Sequence, residues 1–192
     1  MNLKNKPLTQ ILTLTSTLAL LTACSTEAST TTASSDVSTT EATVESTLIS
    51  DSSYSESNST AITFSDQTIT VDGSGAAADG SILTITQPGT YILSGTLSEG
   101  QVRVETVDEA DVQIVLDGAT ITNSTGAAIY VKSANSATIT LAEGTTNTLS
   151  DGEIYTFEDS EDEPDATLFS KSDLILNGTG TLVIDANYAH AI

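Results

Sequence analysis

Short runs of β-branched and other apolar residues, separated by Gly, Asn and Asp, fill the chain from Ala61 onward. The runs are residues 82–85, 91–93, 101–104, 112–116 and 137–141, and their composition and turn boundaries are typical of strands. Apolar and polar positions alternate most clearly in 101–104 and 137–141, which is the period of a half-buried strand. No segment of this part shows a convincing helical spacing of apolar residues, so the pattern predicts an all-β domain over residues 61–192.

Several of these runs recur along the chain. Residues 127–133 are similar to residues 166–172, and residues 189–192 resemble the start of a third copy. The spacing is about 25 residues once an acidic insertion at 151–165 is set aside. Three short strands and three corners need about that number, so we predict a parallel β-helix. A leucine-rich horseshoe, whose Leu and Asn spacing is absent, and a β-sandwich are the alternatives.

The predicted fold assigns an inward face to alternate positions of each strand. Stacked from one turn to the next, these positions would form ladders in a dry core: Ile114, Leu116, Ile139, Leu141, Leu174 and Leu176. Tyr130 and Phe169 occupy equivalent positions in the two similar segments. We therefore expect these two rings to stack in the core as well.

The N-terminus has a different pattern. Basic residues precede an apolar stretch at 11–21, which ends in small residues before Cys24. This order predicts a secretory signal peptide over residues 1–23, because the stretch is too short and too polar for a span of about 20 apolar residues. Residues 21–24 resemble the lipobox of bacterial lipoproteins, in which the cysteine carries a diacylglyceryl group. The resemblance implies a protein that is lipid-anchored on the extracellular face of the bacterial membrane, or in the outer membrane of a Gram-negative cell.

The composition predicts a disordered tether and argues against nucleic acid as a partner. Residues 24–60 are mostly Ser, Thr, Ala and Glu without apolar periodicity, so we predict a disordered tether. The chain has 26 acidic residues, 5 basic residues and a formal net charge of −21. Such a charge repels nucleic acid and anionic lipid headgroups and attracts cations. We therefore expect no nucleic-acid partner and contact with the membrane through the lipid alone.

Further segments carry a resemblance to a known family. Residues 89–97, 112–118 and 127–133, followed by 151–152 and 169–173, resemble the bacterial carbohydrate-binding lipoproteins with a pectate-lyase-like domain. The resemblance implies a right-handed parallel β-helix that contains calcium and binds plant or cell-wall polysaccharide, without demonstrated catalysis. Members of that family generally continue for more turns, so we expect this sequence to be truncated at its C-terminus.

The acidic insertion is the strongest candidate for a metal site. Its carboxylates repel one another unless a cation bridges them, and Ca²⁺ takes six to eight oxygen ligands from flexible loops. We predict Ca²⁺ ligands at Asp159, Glu161, Asp162, Glu163 and Asp165. The insertion lacks the Gly and Glu spacing of an EF-hand loop, and a solvated acidic loop is the alternative.

Aromatic and basic residues are the candidates for contact with a glycan. Sugar rings stack on aromatic faces, and Tyr155, Phe157 and Tyr188 lie in or near loops. Lys132 and Lys171 occupy equivalent positions of the two similar segments, so they are predicted to lie along one face. We predict that these five residues bind carbohydrate.

Together these features predict a surface lipoprotein that binds polysaccharide with the help of Ca²⁺ and without catalysis. A calcium-dependent polysaccharide lyase-like enzyme is one alternative, with Arg103, Lys132 or Lys171 as the base. A passive surface adhesin or spacer is the other alternative.

Overall fold

The computed structural model describes residues 9–12, 52–107, 110–157 and 163–192. These ranges form β-strands and one 3₁₀ helix, Glu56–Asn58. The strands are β1 (Thr9–Leu12), β2 (Ser59–Asp66), β3 (Thr68–Asp72), β4 (Ala76–Asp79), β5 (Ile82–Ile85), β6 (Gly89–Leu97), β7 (Gln101–Glu105), β8 (Asp111–Asn123), β9 (Ile129–Ser133), β10 (Ser136–Leu141), β11 (Thr146–Asp151), β12 (Leu168–Ser170), β13 (Asp173–Gly178) and β14 (Thr181–Asp185).

The strands form two sheets. The nine-stranded sheet has the order β1-β14-β11-β8-β6-β2-β3, and β10 joins it by pairing with both β8 and β13. The five-stranded sheet has the order β12-β9-β7-β5-β4. In the ranges that the structure describes, no helix has the length and apolar character needed to cross a membrane.

The all-β class is confirmed, but the predicted parallel β-helix is wrong. Both sheets are mixed, because β1 with β14, β2 with β3 and β4 with β5 are antiparallel pairs. Only Gln67 separates β2 from β3, and only Gly80 and Ser81 separate β4 from β5. Connections this short reverse the chain direction, whereas a parallel neighbour needs a crossover of a dozen or more residues. Asp66 and Gly80 make these reversals with positive φ angles of 58° and 59°.

The remaining strand pairs are parallel. Ile129 on β9 lies between Val102 on β7 and Leu168 on β12. The two segments that are similar in sequence, 127–133 and 166–172, therefore lie side by side, and their equivalent residues are paired. In the nine-stranded sheet, one edge of β8 pairs with β6. On its other edge, the first half of β8 pairs with β10 and its last residues pair with β11.

One face of each sheet contributes its side chains to the hydrophobic core. Of the six predicted ladder positions, Ile114, Leu116 and Ile139 are fully buried and Leu141 is 8% exposed. The other two lie on β13, where Leu174 is partly buried and Leu176 is 37% exposed. The difference has a simple cause, since β13 pairs only with β10 in the described residues and so has one flank without a neighbour.

A buried amide links three segments of the nine-stranded sheet. Asn147 is fully buried, and its Oδ1 accepts the Ala119 backbone N–H at 2.9 Å. Its Nδ2 donates to Thr145 Oγ1 at 3.0 Å and to the Thr181 carbonyl at 3.3 Å. With these hydrogen bonds made, the amide avoids the penalty of about 1–3 kcal/mol for an unsatisfied buried group.

The structure describes little of the predicted N-terminal regions. Of the predicted signal peptide, only Thr9–Leu12 is described, and Cys24 lies outside the described residues. In the predicted tether, the Ser53 carbonyl accepts a hydrogen bond from Gln113 Nε2 at 3.4 Å. Strand β2 begins at Ser59, just before the predicted domain boundary.

Candidate functional site

Three neighbouring side chains, one guanidinium and two aromatic rings, form a row on the outer face of the five-stranded sheet. Arg103, Tyr130 and Phe169 are cross-strand neighbours on β7, β9 and β12. The Arg103 guanidinium lies 6.0 Å from the centroid of the Tyr130 ring, within the range of a cation–π contact. The Tyr130 and Phe169 rings meet edge to face, with centroids 5.8 Å apart and planes at 63°. The row is therefore an ordered surface of polar and aromatic groups.

The expectation that Tyr130 and Phe169 stack in the core is wrong. Their neighbours Ile129, Val131 and Leu168 enter the core cluster instead. Side chains alternate between the faces of a strand, so Tyr130 and Phe169 lie on the opposite face. Tyr130 is nevertheless only 6% exposed, because Arg103 and Phe169 flank it.

The basic residues gather at the same face. Lys132 Nζ and an Arg103 guanidinium nitrogen each lie 3.5 Å from Glu105 Oε1. Lys171, which follows β12, has its Nζ 3.4 Å from Glu163 Oε2. These three residues are all the Lys and Arg of the described ranges. The predicted pair Lys132 and Lys171 thus lies beside Arg103 at one sheet.

A cleft of about 310 Å³ opens at this face. Two buried amides lie at its floor, where Gln101 Nε2 and Asn123 Nδ2 both donate to the Ala127 carbonyl, at 2.8 and 2.9 Å. Its wall includes Arg103, Tyr130, Lys132, Tyr155, Glu99, Glu163 and Pro164. The cleft therefore combines charged groups, amides and aromatic rings within one concave surface.

The three aromatic residues predicted to contact carbohydrate lie together. The Tyr155 and Tyr188 rings stack with centroids 4.3 Å apart and planes at 17°. Phe157 meets Tyr155 at 6.1 Å and Tyr188 at 6.2 Å. Tyr188 is 40% exposed, whereas Tyr155 is buried and lines the cleft. This aromatic cluster, Tyr155, Phe157 and Tyr188, joins the cleft wall to the surface.

A buried carboxylate supports the aromatic cluster. The Tyr155 hydroxyl donates to Asp151 Oδ2 at 2.7 Å. Burial is the main cause that raises the pKa of the Tyr155 phenol well above its ordinary value, and the hydrogen bond to Asp151 adds to it. The phenol therefore stays protonated at neutral pH and can donate to Asp151.

The structure divides the predicted calcium ligands. Asp159, Glu161 and Asp162 lie outside the described residues. Of the other two, Glu163 pairs with Lys171, and Asp165 Oδ2 lies 3.9 Å from His190 Nε2. The described ranges contain no group of three or more acidic, His or Cys side chains arranged to hold a metal ion.

Several cleft residues escaped the prediction from sequence. The sequence predicts a role for Arg103 only as a lyase base, and it predicts none for Gln101, Asn123 and Glu99. The alternation in residues 101–104 places Gln101 and Arg103 on the same face of one strand, so the sequence alone indicates that these two polar side chains are neighbours. Nothing in the sequence indicates that Asn123 approaches them, because its side chain reaches the cleft from the end of a different sheet.

The residues of the cleft and of the aromatic cluster all belong to the segment that a protein-family model matches. The chain belongs to the family described as carbohydrate-binding domain-containing protein, whose model matches residues 79–192.

Two relatives give this assignment detail. A carbohydrate-binding domain-containing protein of Acetivibrio thermocellus is 39% identical over 109 residues, which cover 56% of this chain and 38% of the relative. A solved structure, described as the polysaccharide lyase-like protein from C. thermocellum in a gadolinium derivative, is 38% identical with a TM-score of 0.66. That match covers 68% of this chain and 53% of the solved chain. The chain thus spans well under two thirds of the length of either relative.

Proposed function

We propose that the cleft and the adjoining aromatic cluster bind a polysaccharide. The observation that carries this proposal is the continuity from Arg103 in the cleft, through Tyr155 in its wall, to the exposed ring of Tyr188. Binding sites for small polar ligands combine aromatic surface with a few precisely placed polar groups. The family description and the name of the Acetivibrio relative support carbohydrate as the ligand class.

The distribution of charge favours an acidic polysaccharide. The chain has a net charge of −21, so most of its surface repels an anionic polymer. The three basic residues of the described ranges, Arg103, Lys132 and Lys171, all lie at the outer face of the five-stranded sheet. Guanidinium and ammonium groups make charge-assisted hydrogen bonds to carboxylates. A glycan with carboxylate groups therefore meets attraction mainly at this face.

Binding to a panel of polysaccharides tests the proposal. We expect the full chain to bind an acidic polymer such as polygalacturonate more tightly than a neutral glucan, and to lose this preference as NaCl screens the charges. Arg103→Gln and Lys132→Gln should each weaken acidic-polymer binding by roughly tenfold, the effect of losing one charge-assisted contact of about 1.5 kcal/mol.

Thr146→Glu is the matched control for these two variants. It changes the net charge by the same amount as Arg103→Gln, at an exposed position outside the cleft. Equal effects of Thr146→Glu and Arg103→Gln would show that only the overall charge matters and would contradict binding at the cleft. An absence of binding to every polymer would contradict the proposed function itself.

Calcium binding by the acidic insertion stays a proposal. A Ca²⁺ ion there would draw on Asp159, Glu161 and Asp162, together with Asp165 and with Glu163, which lines the cleft, and would offset the repulsion of an acidic glycan. We expect saturable calorimetric binding of Ca²⁺ and a higher melting temperature, both weakened in Asp162→Asn. If Mg²⁺ gives the same response, or Ca²⁺ gives none, a specific calcium site is excluded.

A lyase activity is the second candidate, favoured by the solved relative described as polysaccharide lyase-like. Arg103 and Lys132 line the cleft, so a basic group is available beside a bound uronate. Release of unsaturated fragments from polygalacturonate by the wild type, and its loss in both Arg103→Gln and Lys132→Gln, would support this candidate. Retention of intact polymer would support binding without catalysis.

A further inference from the structure

Asp151 is a buried carboxylate at the end of β11. Only 4% of the residue is exposed, and its Oδ2 accepts the Tyr155 hydroxyl while its Oδ1 accepts the backbone N–H of Asn187 at 2.5 Å. The Asp151 carbonyl also accepts Asn187 Nδ2 at 2.8 Å. A buried carboxylate is costly unless such hydrogen bonds are made, so this arrangement holds Asp151 and both of its partners in place.

These hydrogen bonds join two segments that lack regular secondary structure. Residues 152–157 follow β11 and carry Tyr155, and residues 186–190 follow β14 and carry Tyr188. Asp151 binds the first segment through the Tyr155 hydroxyl and the second through Asn187, which directly precedes Tyr188. Asp151 belongs to neither segment and is hydrogen-bonded to both of the segments that carry the stacked rings.

We propose that Asp151 is a positioning residue, which holds the Tyr155 and Tyr188 rings stacked before a glycan binds. This inference rests on the proposed function, since the stacked pair is part of the surface assigned to the ligand. A ring that is already ordered loses less conformational entropy on binding, so preorganisation raises affinity without any contact between Asp151 and the ligand.

Three variants of the full chain test this role. Asp151→Ala removes both side-chain hydrogen bonds, and Tyr155→Phe removes one hydroxyl while keeping the ring. Asn147→Ala is the matched control, because it also removes a buried hydrogen-bonding side chain of β11 but lies away from the aromatic cluster. Each variant is measured by its melting temperature, by near-ultraviolet circular dichroism of its tyrosines and by its affinity for polygalacturonate.

The expected pattern separates positioning from general stability. Asp151→Ala should lose the circular dichroism of the coupled Tyr155 and Tyr188 rings and bind polygalacturonate roughly five- to tenfold more weakly, the worth of one aromatic contact. Tyr155→Phe takes one tyrosine out of the dichroism by itself, so it is read by affinity, which should fall by less than in Asp151→Ala. Asn147→Ala should lower the melting temperature and leave tyrosine dichroism and affinity unchanged.

The opposite results would overturn the inference. Unchanged tyrosine dichroism in Asp151→Ala, or equal changes in Asp151→Ala and Asn147→Ala, would show that Asp151 does not position the rings. If Asp151→Ala does not fold, an unchanged affinity for polygalacturonate in Tyr155→Phe overturns the inference and a reduced one supports it. The dichroism needs no ligand, so a wild type that binds no polysaccharide refutes the proposed function and leaves the ring geometry measurable.

Discussion

At the scale of single residues, backbone conformation decides which substitutions the strands accept. Gly95 lies in β6 with a φ of +87°, at the point where the register between β6 and β8 shifts. A Cβ added there would collide with the carbonyl oxygen of Phe64 on β2. Gly80 has a φ of +59°, but a Cβ added to it would meet nothing within 4 Å. A comparison of substitutions at the two glycines therefore separates the cost of a positive φ angle from the cost of a steric collision.

We predict that Gly95→Ala destabilises the protein much more than Gly80→Ala. Both place a side chain at positive φ, which costs about 1 kcal/mol, and Gly95→Ala adds the collision with a paired strand. The free energies of unfolding from urea titrations should therefore differ by more than about 1 kcal/mol. Equal losses would mean that β2 moves aside without cost.

At the scale of elements, β8 is the central strand of the nine-stranded sheet. Its first residue, Asp111, joins it to the adjoining β10. Asp111 Oδ1 accepts hydrogen bonds from Asn135 Nδ2 at 2.7 Å and from Ser136 Oγ at 2.8 Å. These bonds favour the charged carboxylate, Asn135 contributing most, and lower the pKa of Asp111 below its ordinary value.

We predict that the contribution of Asp111 to stability depends on pH. A carboxyl whose pKa is lower in the folded state stabilises the protein above its unfolded pKa, and the stabilisation is lost as the pH falls through the folded value. Asp111→Asn should therefore lower the melting temperature near neutral pH, and the difference from wild type should shrink as the pH falls below about 4.

Asp117→Asn is the control for this prediction. It removes an exposed carboxylate from the same strand without removing the hydrogen bonds to Asn135 and Ser136. A difference between Asp111→Asn and wild type that stays constant from neutral to acidic pH would rule out the linkage.

At the scale of the whole molecule, charge is the dominant feature. A net charge of −21 on 192 residues produces repulsion among the carboxylates that destabilises the compact state. Three of the basic residues are engaged at one face, so they offset this repulsion only locally. Dissolved salt reduces the repulsion over the rest of the surface.

We predict that NaCl stabilises the protein. Because the Debye length falls from about 30 Å at 0.01 M salt to about 8 Å at 0.15 M, the melting temperature should rise over this interval. KCl should have the same effect at equal ionic strength, since screening does not depend on the identity of the cation. A response to CaCl₂ beyond its ionic strength would indicate specific binding, whereas no response to NaCl would contradict the repulsion.

The predicted lipid anchor also belongs to the whole molecule. We expect the wild type to sediment with membranes and Cys24→Ala to be released, because two or more acyl chains give stable anchoring where one chain gives marginal binding. Ser25→Ala is the control, since it changes the neighbouring residue and keeps the thiol. Membrane association of Cys24→Ala would contradict a lipid on this residue.

Much of the local structure was determined by the sequence itself. Short β-prone runs bounded by Gly, Asn and Asp identified the segments that form β5, β6, β7, β8 and β10, because strand propensity and turn residues are local properties. The alternate positions within these runs correctly assigned Ile114 and Ile139 to the core. The similarity of 127–133 to 166–172 corresponds to the register between β9 and β12.

The pairing of strands and the composition of the cleft were decided by tertiary structure alone. Local alternation states which side chains share a face but not whether the next strand runs parallel, so the antiparallel pairs of β3 and β4 were missed. It also did not show that Tyr130 faces away from the core. Arg103, Asn123, Tyr155 and Glu163 meet at one cleft because distant segments pair side by side, and no local pattern records which segments will meet.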